Sequence, residues 1–283
     1  MKLKTLIIAL ATIFALSYTS CKKSEATTET AAITLENSTN QAISDNMVED
    51  ANDVFTEAAD QNDLMGNAPV QIEQPYNLTS CAIVTVSGTS FPKTITINFG
   101  SGCTSTNGVI RKGKIIIVLS DSVRKSGSTA VMTFDGYYVN GYKQEGTLTW
   151  TNTSTGVRGQ TGYVRSWSRK MENGKTTAPD GRYWLHHGLK NVVQIEGVYT
   201  HIIGDDIFSI TGTHTVTNAQ GISHTSTIQE PLIRRMGCRW IVKGSIKMQG
   251  PNHYALLDFG AGECDNKATI SVDGGTPKEI ILP

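Results

Sequence analysis

Five cysteines, six histidines and four tryptophans carry most of the chemistry this chain could do. Cys81 and Cys103 flank one short strand pair, and Cys238 and Cys264 flank another. Each pair ends on a similar run, Asn98-Phe99-Gly100-Ser101-Gly102-Cys103 and Asp258-Phe259-Gly260-Ala261-Gly262-Glu263-Cys264. The repeat argues for Cys81–Cys103 and Cys238–Cys264 disulfides, each closing its own hairpin. Four cysteines allow three connectivities, and cross-pairing of the first and last hairpins is the alternative. No C-x-x-C spacing favours zinc. Loops of this length, about 22 and 26 residues, stabilise by about 3 kcal/mol each in the chain-entropy model.

His186, His187, His201, His214 and His224 gather in one stretch. His214 and His224 on neighbouring strands, with His201, are the one conceivable metal set, but hydrogen-bonded strand histidines are the default, so no metal and no cofactor are expected. Trp150, Trp167, Tyr183 and Trp184, with Tyr137, Tyr138, Tyr142 and Tyr163, could line an exposed platform on which sugar rings stack; the competing reading is that they fill the β core. A glycosidase needs two carboxylates at a set separation. Asp135, Glu145, Asp180 and Glu196 are available and nothing singles out a pair. Asp258-Phe259-Gly260 matches the kinase metal-binding tripeptide in letters only, without its catalytic loop or glycine-rich loop. There is no G-x-S-x-G, H-E-x-x-H or P-loop. No catalytic residues are assigned.

The elements that must position these groups start after an export signal. Met1-Lys2-Leu3-Lys4 is basic and Leu6 to Leu16 is apolar, too short to span a bilayer as an ordinary helix. Tyr18-Thr19-Ser20-Cys21 then resembles a bacterial lipoprotein cleavage site, although Tyr18 stands where Leu is usual. Residues 1–20 read as the signal peptide and Cys21 as the acylated first residue, which makes the membrane a partner through the lipid. Lys22, where Asp would mark inner-membrane retention, implies the outer membrane by analogy; its periplasmic face and the cell surface both stay open. Residues 21–40, rich in Thr, Ser, Ala and Glu, read as a flexible tether.

Residues 41–66 read as one amphipathic helix. Ile43, Met47, Ala51, Val54 and Ala58, with Phe55, recur at helical spacing; Asn40 or Ser44 caps the start and Gly66 the end. Glu49, Asp50, Asp53, Glu57, Asp60 and Asp63 form the opposite face, expected to be solvated rather than to hold a cation or partner. EF-hand spacing is absent. Residues 67–283 read as twelve to fourteen strands. Asn140-Gly141, Asn173-Gly174 and Asp273-Gly274 mark hairpin turns, and Ile115 to Leu119, apolar on both faces, reads as a buried central strand. Successive hairpins mean antiparallel neighbours. The fold class is mainly β: a large antiparallel meander forming a sandwich, or a sheet strongly curved over the helix.

Several of these runs resemble a group of predicted lipoproteins of Bacteroidota: Thr94 to Gly100, Gly102-Cys103, Arg111 to Ile115, Tyr138 to Gly141, Leu257 to Gly260 and Cys264 to Thr269. The resemblance covers most of the chain after the tether. It implies a similar fold and an envelope location, and carries no activity or site residues. Lys+Arg and Asp+Glu balance at 25 each, so there is no electrostatic footprint for nucleic acid. The expected function is a non-enzymatic binding or structural role in the envelope, with a glycan or an envelope protein as partner. Carbohydrate-active chemistry and periplasmic lipid carriage are the alternatives.

Overall fold

The computed structural model describes residues 29–66, 77–106, 108–200 and 202–282. The stretch expected to be a signal peptide and Cys21 lie outside the described residues, as does His201. Among the described residues one α-helix, α1 (Ala31–Gln61), precedes fourteen strands. These are β1 (Ile83–Ser87), β2 (Lys93–Asn98), β3 (Cys103–Thr104), β4 (Ile110–Leu119), β5 (Thr129–Val139), β6 (Tyr142–Asn152), β7 (Ser166–Thr177), β8 (Tyr183–Glu196), β9 (Ile207–Asn218), β10 (Ser223–Arg235), β11 (Ile241–Gln249), β12 (Tyr254–Ala261), β13 (Lys267–Val272) and β14 (Lys278–Ile281). All belong to one open antiparallel sheet in which chain order is sheet order, except that β3 pairs β4 beside β2. Of the two architectures expected, the curved sheet is the one present, and α1 lies inside its curve.

The helix begins ten residues before the expected start. Thr30 caps it, its hydroxyl accepting from Ile33 N–H, so residues 31–40 belong to the helix and not to a tether. The acidic face is corrected too. Glu49, Asp50 and Glu57 are buried, and Asp53 is nearly so. Inward-facing basic side chains meet them: Arg111 pairs Asp50 at 2.5 Å, Arg169 pairs Glu49 at 3.0 Å, Lys190 pairs Asp45 at 2.5 Å, and Arg234 pairs Asp53. Glu57 accepts from Leu78 N–H and Thr79 N–H at 2.8 and 3.0 Å. Only Asp63 is exposed, with Asp60 intermediate. The cause is the curvature: strands far apart in sequence converge on both sides of α1, so its polar stripe has no water to face. Such ion pairs fix the helix's rotation and register more than they stabilise it, because desolvation offsets their Coulomb gain.

The apolar stripe lies where it was expected. Ile43, Met47, Ala51, Val54, Phe55 and Ala58 pack on Ile95, Ile97, Ile115, Ile117 and Met132 of the first half of the sheet. A second apolar cluster joins Ile210, Leu232, Ile246, Leu257 and Ile270 of the other half. On β4 only alternate residues are buried: Ile115, Ile117 and Leu119 face in, and Val118 is 45% exposed. The buried two-faced strand expected here is therefore half-exposed, because among the described residues no element covers its outer face.

The two disulfides are Cys81–Cys103 and Cys238–Cys264. Each belongs to the same local unit, a cysteine, two paired strands, a turn and a second cysteine. In both turns a side-chain oxygen (Asn98 or Asp258) accepts from the N–H two residues on, Gly100 at 2.9 Å and Gly260 at 2.8 Å, and that glycine has positive φ. Asn140-Gly141 and Asp273-Gly274 make the expected turns, each with both φ angles positive. Asn173-Gly174 does not. It sits inside β7 at a register shift against both neighbours, and the turn follows at 178–182.

The β5–β6, β7–β8, β9–β10 and β11–β12 turns share one end of the sheet with the start of α1, where Glu29 accepts from Asn252 N–H. The connections 120–128, 153–165, 197–206 and 236–240 share the other end with the close of α1, where Val123 N–H donates to Leu64 O. The fourteen residues of β8 separate these ends by about 45 Å.

Candidate functional site

The predicted aromatic platform is not assembled on the surface. Trp184 is buried and its indole N–H donates to Ser44 at 2.8 Å. Trp150 donates to Asn52 on the helix at 2.6 Å and stacks edge-on against Phe55. Trp167 is buried between Trp150 and Phe208. Trp150 and Trp167 line a small internal cavity of about 30 Å³ with Glu49, Arg169 and Arg234. Only Tyr183 stands exposed, under Lys175. Strand alternation explains this: inward positions hold Trp150 on β6, Trp167 on β7 and Trp184 on β8, and α1 covers them. The four carboxylates considered for hydrolysis also stay apart. Asp135 pairs Lys114, Glu145 pairs Lys143 and Asp180 pairs Arg182, while Glu196 is exposed.

A hollow of about 730 Å³ opens on the outer face over β7, β8 and β9. Its floor is backbone: Asn173 adopts a left-handed conformation at the β7 bulge, and Gly174 and Gly188 lie beneath the hollow with their open side turned inward to the histidines. A Cβ on Gly188 would lie 2.6 Å from the His214 ring, and one on Gly174 would lie 2.5 Å from the His186 carbonyl. Leu185 and Leu189, both 47% exposed, His187, Thr213 and Thr215 form the rim. Lys170 and Glu172 close one side as an ion pair at 2.7 Å.

His186 and His214 back this hollow from inside. Their rings are perpendicular, with His186 Nδ1 3.3 Å from His214 Nε2. The hydrogen-bond chain assigns their protons. Gln41 Nε2 donates to His214 Nδ1 at 2.5 Å, while Ser226, 3.3 Å from Gln41 Oε1, donates to His214 O at 3.0 Å. His214 Nε2–H then donates to His186 Nδ1, and His186 Nε2–H to Thr176 Oγ1 at 3.3 Å. Thr176 passes its own proton to Gln144 Oε1 at 3.2 Å. Gln144 Nε2, which donates to Glu145 O at 2.8 Å, also lies 3.3 Å from His186 Nε2. Both rings are neutral in this chain. Burial holds each well below the usual histidine range, helped by the facing His214 in one case and by Lys190 in the other.

The metal set is not brought together. His214 meets His186, while His224 pairs Glu29 at 2.5 Å and accepts from Asn37 at 2.8 Å. Among the described residues no three His, Cys, Asp or Glu side chains converge as a metal site would require, and no helix is long and apolar enough to cross a membrane.

Sequence reasoning missed the inward polar row, although a signal existed. On β8, Trp184, His186, Lys190 and Val192 share one parity, and on β9 Ile210, His214 and Val216 do. Alternation with buried apolar neighbours marks those polar residues as inward-facing. No family model, curated protein or solved structure matches the chain.

Proposed function

We propose that this chain is a lipid-anchored envelope protein of the bacterial outer membrane, tethered through Cys21, whose role is non-enzymatic binding on the outer face of its sheet. The observation that carries the binding role is the hollow over Gly174 and Gly188. It offers apolar walls at Leu185 and Leu189 and polar groups at Thr213, Thr215 and His187, the mix a small-ligand site uses to combine burial with orientation. The imidazoles beneath it are neutral and spend both ring nitrogens inside the protein, which suits a fixed floor better than proton transfer. The concave side, which a lipid carrier would leave hollow, is filled by α1.

Carbohydrate binding is the second reading. Leucine side chains next to threonine hydroxyls at the rim match the alternating C–H and O–H character of a sugar. A glycan array probed with the folded chain and with Leu189→Glu tests both. Glycan binding that the substitution abolishes supports the site and the ligand class; binding that it leaves intact places the ligand elsewhere. The anchor has its own test: labelled palmitate should enter the wild-type chain in cells and be absent from Cys21→Ala.

A further inference from the structure

At the end of the sheet where α1 closes, three adjoining segments each carry an arginine whose charge acts on the others. Arg124 lies in the β4–β5 connection, with its N–H donating to Met65 O at 3.2 Å. Arg158 lies in the β6–β7 connection and Arg165 just before β7. Gly127 N–H donates to Asn152 O at 2.9 Å and holds the first of these connections against the second. Arg165 is 1% exposed and donates from Nη1 to Gln194 at 3.0 Å and from Nη2 to Val198 O at 2.7 Å. Its Nε–H, and Nη1 of Arg124, are buried without an acceptor among the described residues. Donors on a charged group in that condition are costly to leave unmade. The three groups feel one another: burial first, then the charges of Arg165 and Arg158, hold Arg124 below the usual arginine range.

The same end carries its own aromatic pair. Residue 199 directly follows the Val198 carbonyl that Arg165 holds. The Tyr199 ring, 59% exposed, lies 6.5 Å from that of Tyr163 at a tilt of 49°. Val157, Val164 and Ile202 are exposed nearby. The carboxylates facing the cluster are Asp206, Asp205 and Asp60. Burial pushes Asp206 up to about 7 against the pull of Arg124 and Arg165, and its oxygen accepts from Gln194 at 2.5 Å. Asp205 is held by Thr200 at 2.9 Å. Asp60 is raised by burial and faces Arg124 from the helix.

We infer that this end of the sheet is a binding site for an anionic oligosaccharide, whose acidic groups meet the partly exposed Arg124 and Arg158 over the buried charge of Arg165 and whose ring stacks on Tyr163 and Tyr199. Guanidinium groups favour carboxylate and sulfate oxygens because their fork matches two oxygens at once. An aromatic pair beside them selects a ligand with flat apolar faces as well as charge. The site is separate from the hollow over β7–β9 and stands without it. On the lipid-anchored reading it also points away from the bilayer, because the chain enters at the opposite end, which favours a glycan over an anionic headgroup.

The test is calorimetric titration of the folded full chain with a heparin-derived sulfated tetrasaccharide, its desulfated counterpart, a glutamate hexapeptide and phosphatidylglycerol vesicles. The expected result is binding of the sulfated sugar alone, weakened about tenfold by Arg158→Ala and by Tyr199→Ala. It should tighten from pH 8 to pH 6 as Asp206 takes up a proton. Both substitutions are at partly exposed positions, and circular dichroism confirms that each variant is folded. Equal affinity for the desulfated sugar, indifference to either substitution, or preference for the peptide or the vesicles overturns the inference.

Discussion

Asp50 is the residue whose loss separates a helix enclosed by the sheet from one lying on it. Its carboxylate accepts from Arg111 Nε at 2.9 Å, from Arg111 Nη2 at 2.5 Å and from the Tyr137 hydroxyl at 2.9 Å. Arg111 and Tyr137 are buried, so Asp50→Leu leaves a guanidinium and a phenol without their acceptor and without access to water. Breaking one side of a buried pair costs about 3–5 kcal/mol. Arg111→Leu strands the carboxylate and should cost a similar amount. The double variant removes both charges, and its loss should fall short of the sum by at least about 2 kcal/mol. Urea unfolding followed by tryptophan fluorescence reads all three, because Trp150, Trp167 and Trp184 pack on or near the helix. Asp63→Asn, at the exposed end of the helix, is the control and should move stability by less than about 0.5 kcal/mol. If Asp50→Leu costs under about 1 kcal/mol, the value for an exposed pair, the helix face is solvated and the enclosed packing is wrong.

Three further outcomes follow from the same structure. His186 and His214 are neutral when folded, so the unfolded chain takes up protons first and their stabilising share is lost as pH falls below the unfolded value of about 6.5. Asp53 and Asp206, both raised by burial to about 7, act in the opposite sense and lose stability as pH rises from about 4 to 7. The histidine share is therefore read as the difference between wild type and a His186→Gln/His214→Gln variant. That difference should shrink by about 2 kcal/mol from pH 6.5 to 5.5, about 1 kcal/mol per ring, and a constant difference would show that the rings protonate freely. Gly188→Ala sets a methyl group against the His214 ring and Thr213 O, each 2.6 Å away; thermal unfolding should register a loss of about 1–3 kcal/mol, and no loss would mean the strand yields there. Removing the Cys238–Cys264 bridge by a double Ala substitution should cost about 3 kcal/mol in the same urea assay, and an unchanged midpoint would contradict its closing a 26-residue loop.

Local chemistry was readable from the sequence, and convergence was not. Asn140-Gly141 announces its hairpin because only a few residues accept two successive positive φ angles. The same chemistry misleads at Asn173-Gly174, where the left-handed residue serves a bulge and the strand continues. The matching Phe-Gly runs point to the right cysteine pairs because each pair closes a local unit. The acidic face of α1 reads as solvated because its partners are distant in the chain: Arg111 is 61 residues from Asp50, Arg169 is 120 from Glu49 and Lys190 is 145 from Asp45. Helical spacing marks one apolar stripe, and nothing local says that a curved sheet covers the other side. The tryptophans carry the same ambiguity, since an inward and an outward Trp look alike until the neighbours of equal parity are compared. The close packing of His186 and His214 beneath the hollow depends on Gly174 and Gly188 meeting them from neighbouring strands, which spacing along one strand does not reveal.

Native-state hydrogen exchange of α1 tests the enclosed helix most directly. The account predicts that amides from Ser44 to Phe55 exchange only through global unfolding, with protection equal to that of Ile115 and Ile117 on the sheet. Exchange of that segment through a lower-energy opening, while the strands stay protected, would mean that the helix leaves the sheet. The concave row of Arg111, Arg169, Lys190 and Arg234 would then be the surface that meets a partner, and the outer hollow would lose its place in the account.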